Sequence, residues 1–558
     1  MSDASDVNLE RNKVVEDSEL RRRLQLLKER FNDGNIKIAV HLADGFDESF
    51  GKVRYGSDGE IDLSTVDGRI RSMAMAASMM QDREDTKSAA TLAEIQQAYF
   101  DRITSMFEDV YNVMLKHDQH PQSVSWALSR DDEHVKANYP LIEPFVDELA
   151  QFWEVMSEPV RYHLQDLEAL KGVFGGDLFP SYERNIASSS GLYLDTIVLT
   201  DPFMNTRDLF SRWPKEESVR MFLKHGLQLM NYRSLALAET ANPIVAILPF
   251  ESALDENYRD SLFSAASKKA VIHAEKIFGQ DFSNVEELSE FLSTFDTPDK
   301  VISKIVDQSR LLFDTEWTEP TESQILKAIH QTASVAGDHP GEVIFNQCFG
   351  RMSQATDISW KSLSLGGVPL IDAPTSWQYY NWSLEYDARR DANSNLPLHM
   401  SRGMQHLAAT DLQWLGDIPP ESLIELRKEG ALDEIRQMLS SGVNEVVSLN
   451  PDNFFRSADK IYDNLEQAFS DHQRNIDKLR AKKWKFAGHD IGSWVVAGSI
   501  EVASVILGTP AWGLATAAIS QVTDAPKLKD IPRKIKDLNQ EGNQLSKSAV
   551  GMLFRHKS

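Results

Sequence analysis

GLYLDTIVL, residues 191–199, and NPIVAILPF, residues 242–250, are the two stretches on which the fold turns. Each is a short apolar run, and Asp201-Pro202 stops the first, so both read as strands. A helix is expected between them, from near Pro214 to Thr240. Strand, helix and strand in that order permit a βαβ unit.

Outward from this unit the pattern is helical. From about Asp67 to Phe174, Leu92, Ile95, Tyr99, Ile103, Met106, Val110 and Met114 recur every three or four residues and give one long apolar stripe. Ahead of it, a charged helix is expected over residues 15–31. NIKIAVHLADGF, KVRY and EIDLSTV follow and read as short strands joined by Asp-Gly turns. Past the second strand, more helices run to about Thr356, then a Gly366-Gly367 loop and an aromatic patch, Trp377, Tyr379, Tyr380, Trp382 and Tyr386. Beyond Asp391 no strand is expected. Pro419-Pro420 opens a helix, and a long one covers roughly Asp452 to Lys485, where Ala458, Ile461, Leu465, Ala468, His472, Ile476 and Leu479 form a narrow seam. The expected fold is therefore mainly α with a smaller α/β part, multidomain, in three regions: 1–175, 176–410 and 411–558.

The last region holds the segment that most narrows function. Residues 491–522 carry one charge, Glu501, and break at Gly508-Thr509-Pro510, which reads as an apolar helical hairpin. Lys482, Lys483 and Lys485 precede it, and Lys527, Lys529, Arg533 and Lys534 follow it, a flank pattern suited to anionic lipid. Trp494, Val495, Val496, Ile500, Ile506, Leu507, Trp512 and Leu514 would be its membrane-binding side chains. A spanning helix takes about 20 apolar residues, more than either arm offers, so an interfacial or re-entrant hairpin fits better than a span. The same apolar character also suits burial in the protein's own core or in a dimer interface.

Charge placement agrees with a membrane-facing tail. The chain carries −25 overall, but residues 471–558 hold fourteen Lys or Arg against eight Asp or Glu, or +6, which leaves −31 on the rest. An acidic body repels phosphate, so nucleic acid is not a favoured partner. The single cysteine, Cys348, excludes an internal disulfide, and with a polar start lacking a signal peptide it points to the cytoplasm, peripheral placement at the inner membrane being the companion expectation.

Catalytic candidates are few. LYLDTIVLTD resembles the opening strand of PIN-type metal-dependent nucleases, which carry Asp-Thr-Asn there; this chain has Ile197 in place of the Asn. The resemblance implies Asp195, with Asp201, as the alternative catalytic pair. His117 with His120, and His399 with His406, lack zinc-ligand spacing, and no metal or cofactor is expected. Walker A, HExxH, GxSxG and GxGxxG patterns are absent. The aromatic patch could stack a sugar, base or peptide, yet Trp377, Tyr380 and Leu384 also share a helical face suited to core packing. Cys348, in an apolar helix, reads as a buried small residue.

LYLDTIVLTDPF and ESLIELRKEGALDEIRQML together resemble segments of large uncharacterised bacterial proteins, some from phage-defence or mobile islands. That resemblance implies a bacterial, defence or toxin-like role. The expected function is a cytoplasmic, non-catalytic effector that recognises a protein partner or trigger and then engages or permeabilises a membrane. A metal-dependent hydrolase or nuclease using Asp195 is one alternative. A structural protein with the hairpin as a homo-oligomer interface is the other.

Overall fold

A computed structural model describes the chain apart from residues 1–2, 35, 39, 58, 178–184, 316, 337–338, 390–392, 450, 485–539, 542–543 and 558. The described residues are mainly helical, with one small parallel sheet. They divide into two compact units, residues 1–95 with 158–166, and residues 96–157 with 167–558.

In the first unit, helices Asp3–Asn32 and Gly68–Ser88 bury Leu24 and Leu27 against Ile70, Ala74 and Ala77. Asp67 starts the second helix by accepting hydrogen bonds from the N–H groups of Arg69 and Ile70. Three short strands are expected near here, but residues 40–52 form a helix, and only a single antiparallel bridge, Tyr55 to Ile61, remains of the β element. The period decides it: Phe46 and Phe50 stand four apart with ring centroids at 6.4 Å, and Phe50 meets Phe31 at 5.6 Å. Asp44-Gly45 therefore lies inside a helix and makes no turn, and Arg69 caps the Gly45 carbonyl at 2.8 Å.

The second unit is built on four parallel strands, β1 (Lys171–Phe174), β2 (Thr196–Thr200), β3 (Val245–Leu248) and β4 (Val368–Leu370), in the order β3-β2-β1-β4. The quoted apolar runs become β2 and β3, with helix Lys215–Ala236 between them, and Ile197 pairs with Val245. Nearly every strand residue is buried, as expected of a parallel sheet covered on both faces. Gly172 in β1 is demanded by packing, since a Cβ there would lie 2.5 Å from Leu194 Cδ1 and 2.7 Å from Leu370 Cδ1. β4 tolerates Pro369 because it is an edge strand.

Helices fill the rest of this unit. Phe107, Phe145, Phe203 and Phe222 form a ring cluster with centroid separations of 4.9 to 5.9 Å. The long C-terminal helix spans Phe454–Trp484 and buries Ala458, Ile461, Leu465 and His472, as its seam suggests, with Phe469 more deeply buried than Ala468. Helix Ala549–Phe554 returns to it, with the Phe554 ring 5.6 Å from Phe469 and Lys557 paired to Glu466 at 2.6 Å.

Candidate functional site

The apolar hairpin at 491–522, with Trp494, Val495, Val496, Ile500, Ile506, Leu507, Trp512 and Leu514, lies outside the described residues, as do Lys485, Lys527, Lys529, Arg533 and Lys534. Lys482 and Lys483 fall in the last turn of helix Phe454–Trp484. Among the described residues, no helix is long and apolar enough to cross a membrane.

Asp195 and Asp201 stand at opposite ends of β2, about 17–20 Å apart at the rise of a strand, so they cannot share one ion. Asp195 is a clamp. It accepts the Leu170 N–H at 2.7 Å and an Arg436 N–H at 2.7 Å, with Arg427 at 3.8 Å. Arg427 also donates to the carbonyls of Gly191 and Leu194, and Arg436 donates to that of Tyr193. The segments LYLDTIVLTDPF and ESLIELRKEGALDEIRQML thus bind each other. Burial pulls the Arg427 guanidinium down to about 10, opposed by the Asp195 charge.

Asp201, at the carboxyl end of β2, is fully buried and accepts from Trp153 Nε1 at 2.7 Å and the Phe203 N–H at 2.8 Å. Burial pushes its carboxyl up to about 6 despite those donors. Among the described residues, no group of three or more His, Cys, Asp or Glu could hold a metal ion. His399 is buried, with Nδ1 on Ser457 at 2.8 Å and Nε2 within 3.0 Å of the Asn393 and Pro451 carbonyls. Cys348 is buried too, and desolvation pushes its thiol up to about 12.

What the sheet does create is concave space at its carboxyl edge. In the order β3-β2-β1-β4, β2 and β3 are added on one side of β1 and β4 on the other, and open α/β sheets leave a crevice at such a switch of side. One cavity, of about 270 Å³, lies beyond β1 and β2 and is bordered by Gly176, Asp177, Thr200, His225, Asp357 and Lys361. Gly176 takes a left-handed φ of +87°, which turns the chain sharply out of β1. Asp177 accepts from Ser376 and from Arg351; burial raises its carboxyl, those two donors oppose it, and the Asp372 charge adds to the rise. Lys361, almost wholly buried, pairs with Asp357 at 2.7 Å, and Tyr258 donates to the same carboxylate at 2.8 Å. Desolvation pulls the His225 imidazole down to about 3, so it is neutral, and its Nδ1 has no partner.

A second cavity, of about 800 Å³, opens beside the residues that follow β4. Its border combines Trp377 and Trp382 from helix Pro374–Tyr386, Arg402, Gln405 and His406 from helix Leu396–Ala409, and Asp452, Phe454 and Phe455 from the start of the long helix. Arg402 donates to the Ile371 carbonyl at 2.7 Å, and its guanidinium sits 4.7 Å above the Trp377 ring. Burial pulls it down to about 10, opposed by the Asp372 charge. Trp377, Tyr380 and Leu384 are buried, as their shared helical face suggests. The cavity itself was not legible in the sequence, because its border comes from separate segments between Leu312 and Phe455, each polar residue being unremarkable alone. Comparison with protein-family models, with curated proteins and with solved structures finds no match to this chain.

Proposed function

We propose that this chain is a bacterial cytoplasmic effector, peripheral at the inner membrane when active, whose C-terminal apolar segment engages or permeabilises the bilayer after a trigger or protein partner is recognised. The observation that carries this reading is the sequence of residues 491–522, with one charge in thirty-two residues and basic clusters on both sides. Lysine and arginine near an anionic surface contribute about 1 kcal/mol each, and burial of the tryptophan, leucine and isoleucine side chains adds to that.

Among the described residues, helices Phe454–Trp484 and Ala549–Phe554 pack together through Phe469 and Phe554. Co-flotation of the full chain with vesicles tests the proposal. The chain is expected to float with vesicles rich in phosphatidylglycerol and to stay behind with neutral ones, and added salt should weaken the association. Equal behaviour on both vesicle types would remove the electrostatic half of the reading; no flotation on either would remove the whole.

A further inference from the structure

We propose that the 800 Å³ cavity beside β4 binds a nucleoside, meaning a planar nitrogen heterocycle carrying hydroxyl groups and no phosphate. Its volume falls within the range of about 300–1,000 Å³ typical of small-molecule sites. The walls supply flat aromatic surface: Trp377, Trp382, Phe454 and Phe455. Base stacking on such rings is favourable for any heterocycle.

The amides set the polar demand. Asn381 Oδ1, Asn393 Oδ1 and Gln405 Nε2 are buried polar atoms without a hydrogen-bond partner, and all three side chains border this one cavity. Asn393 and Gln405 are only 5% and 8% exposed, so solvent does little for them. Unpartnered buried amides are rare because they cost free energy, and a ligand with donors and acceptors on one edge would satisfy these three together. Asn393 keeps its Nδ2 on Asp452 at 3.1 Å, which leaves its Oδ1 to accept from a ligand. Carboxamides offering both donors and acceptors complement the edge of a nucleobase.

Charge decides between nucleoside and nucleotide. Asp372, Glu385 and Asp452 border the cavity; Arg402, on the same border, already donates to the Ile371 carbonyl, and Arg310 pairs with Glu385 at 3.3 Å, so three carboxylates stand against two arginines. A phosphate would face more negative than positive charge, whereas ribose hydroxyls can donate to carboxylates.

Calorimetric titration and thermal shift of the full chain, without lipid, test this separately from membrane binding. Guanosine or adenosine is expected to bind and raise the unfolding temperature, with the matching monophosphate at least about tenfold weaker. Phe455, 67% exposed, can be replaced with little effect on folding, and Phe455→Ala is expected to weaken the nucleoside about fivefold or more. Gln405→Met should weaken it as well while leaving the unliganded protein as stable as before or more so, because it removes an unpartnered amide. No binding of either nucleoside at millimolar concentration, or a monophosphate that binds equally or better, overturns the proposal. So does nucleoside binding that neither variant alters.

Discussion

Asp195→Ala removes the carboxylate that holds the entry of β2 to two helices from the far end of the chain. The wild-type group accepts from Leu170 and Arg436 at 2.7 Å each and stands 3.8 Å from Arg427. A hydrogen bond to a charged group contributes about 1.5–3 kcal/mol, and breaking a mostly buried pair by removing one partner costs about 3–5 kcal/mol. The side chains of Asp195, Arg427 and Arg436 are 20%, 9% and 19% exposed, so the lower part of that range applies, about 3 kcal/mol. Urea unfolding followed by circular dichroism measures the loss as a lower midpoint. A double-mutant cycle with Arg436→Met isolates the pair and should give a coupling of about 1.5–3 kcal/mol. A loss below about 0.5 kcal/mol would refute the clamp. An Asp195→Asn protein of normal stability that loses a divalent-cation-dependent nuclease activity would replace it with a catalytic role.

Asp201 has an unusual pH signature. Its carboxyl is raised by burial from an ordinary 3.8 to about 6, so the folded state binds a proton more readily than the unfolded chain. Its contribution to stability is therefore full below about pH 4 and is lost as pH rises toward 6, by about 3 kcal/mol in total. The stability difference between wild type and Asp201→Asn should change by that amount between pH 4 and pH 7; a difference that stays level across this window would contradict it. Gly172→Ala places a methyl group within 2.7 Å of two leucine side chains and is expected to cost about 1–3 kcal/mol in urea unfolding, with no loss meaning that β1 can shift freely. Cys348, whose buried thiol is pushed up to about 12, should resist a thiol-reactive dye in the native protein and label rapidly in urea, and equal rates would place it at the surface.

The sequence made the largest periodic features legible. β2 and β3 show as apolar runs, and the long C-terminal helix shows its seam at Ala458, Ile461 and Leu465. β1 and β4 did not show, because KGVF and VPL are too short to display any period and contain Gly172 and Pro369. Near the N-terminus, β-branched residues and Asp-Gly suggested strands, whereas the phenylalanines at 46 and 50 followed a helical spacing. Asp195 was visible as a strand-end carboxylate, but its partners Arg427 and Arg436 lie more than 230 residues away, so its structural role could not be read locally. The same distance problem hid the cavity beside β4, where Asn381, Asn393 and Gln405 converge only once the helices pack.

Dye release from vesicles by the full chain tests the membrane reading most directly. Anionic vesicles should leak, and Ile500→Lys with Leu514→Lys, which place two charges in the apolar stretch at a cost of about 3 kcal/mol each at a bilayer centre, should abolish release without lowering the stability of the body. Intact anionic vesicles in the presence of the wild-type chain, or undiminished leakage with the double variant, would contradict it.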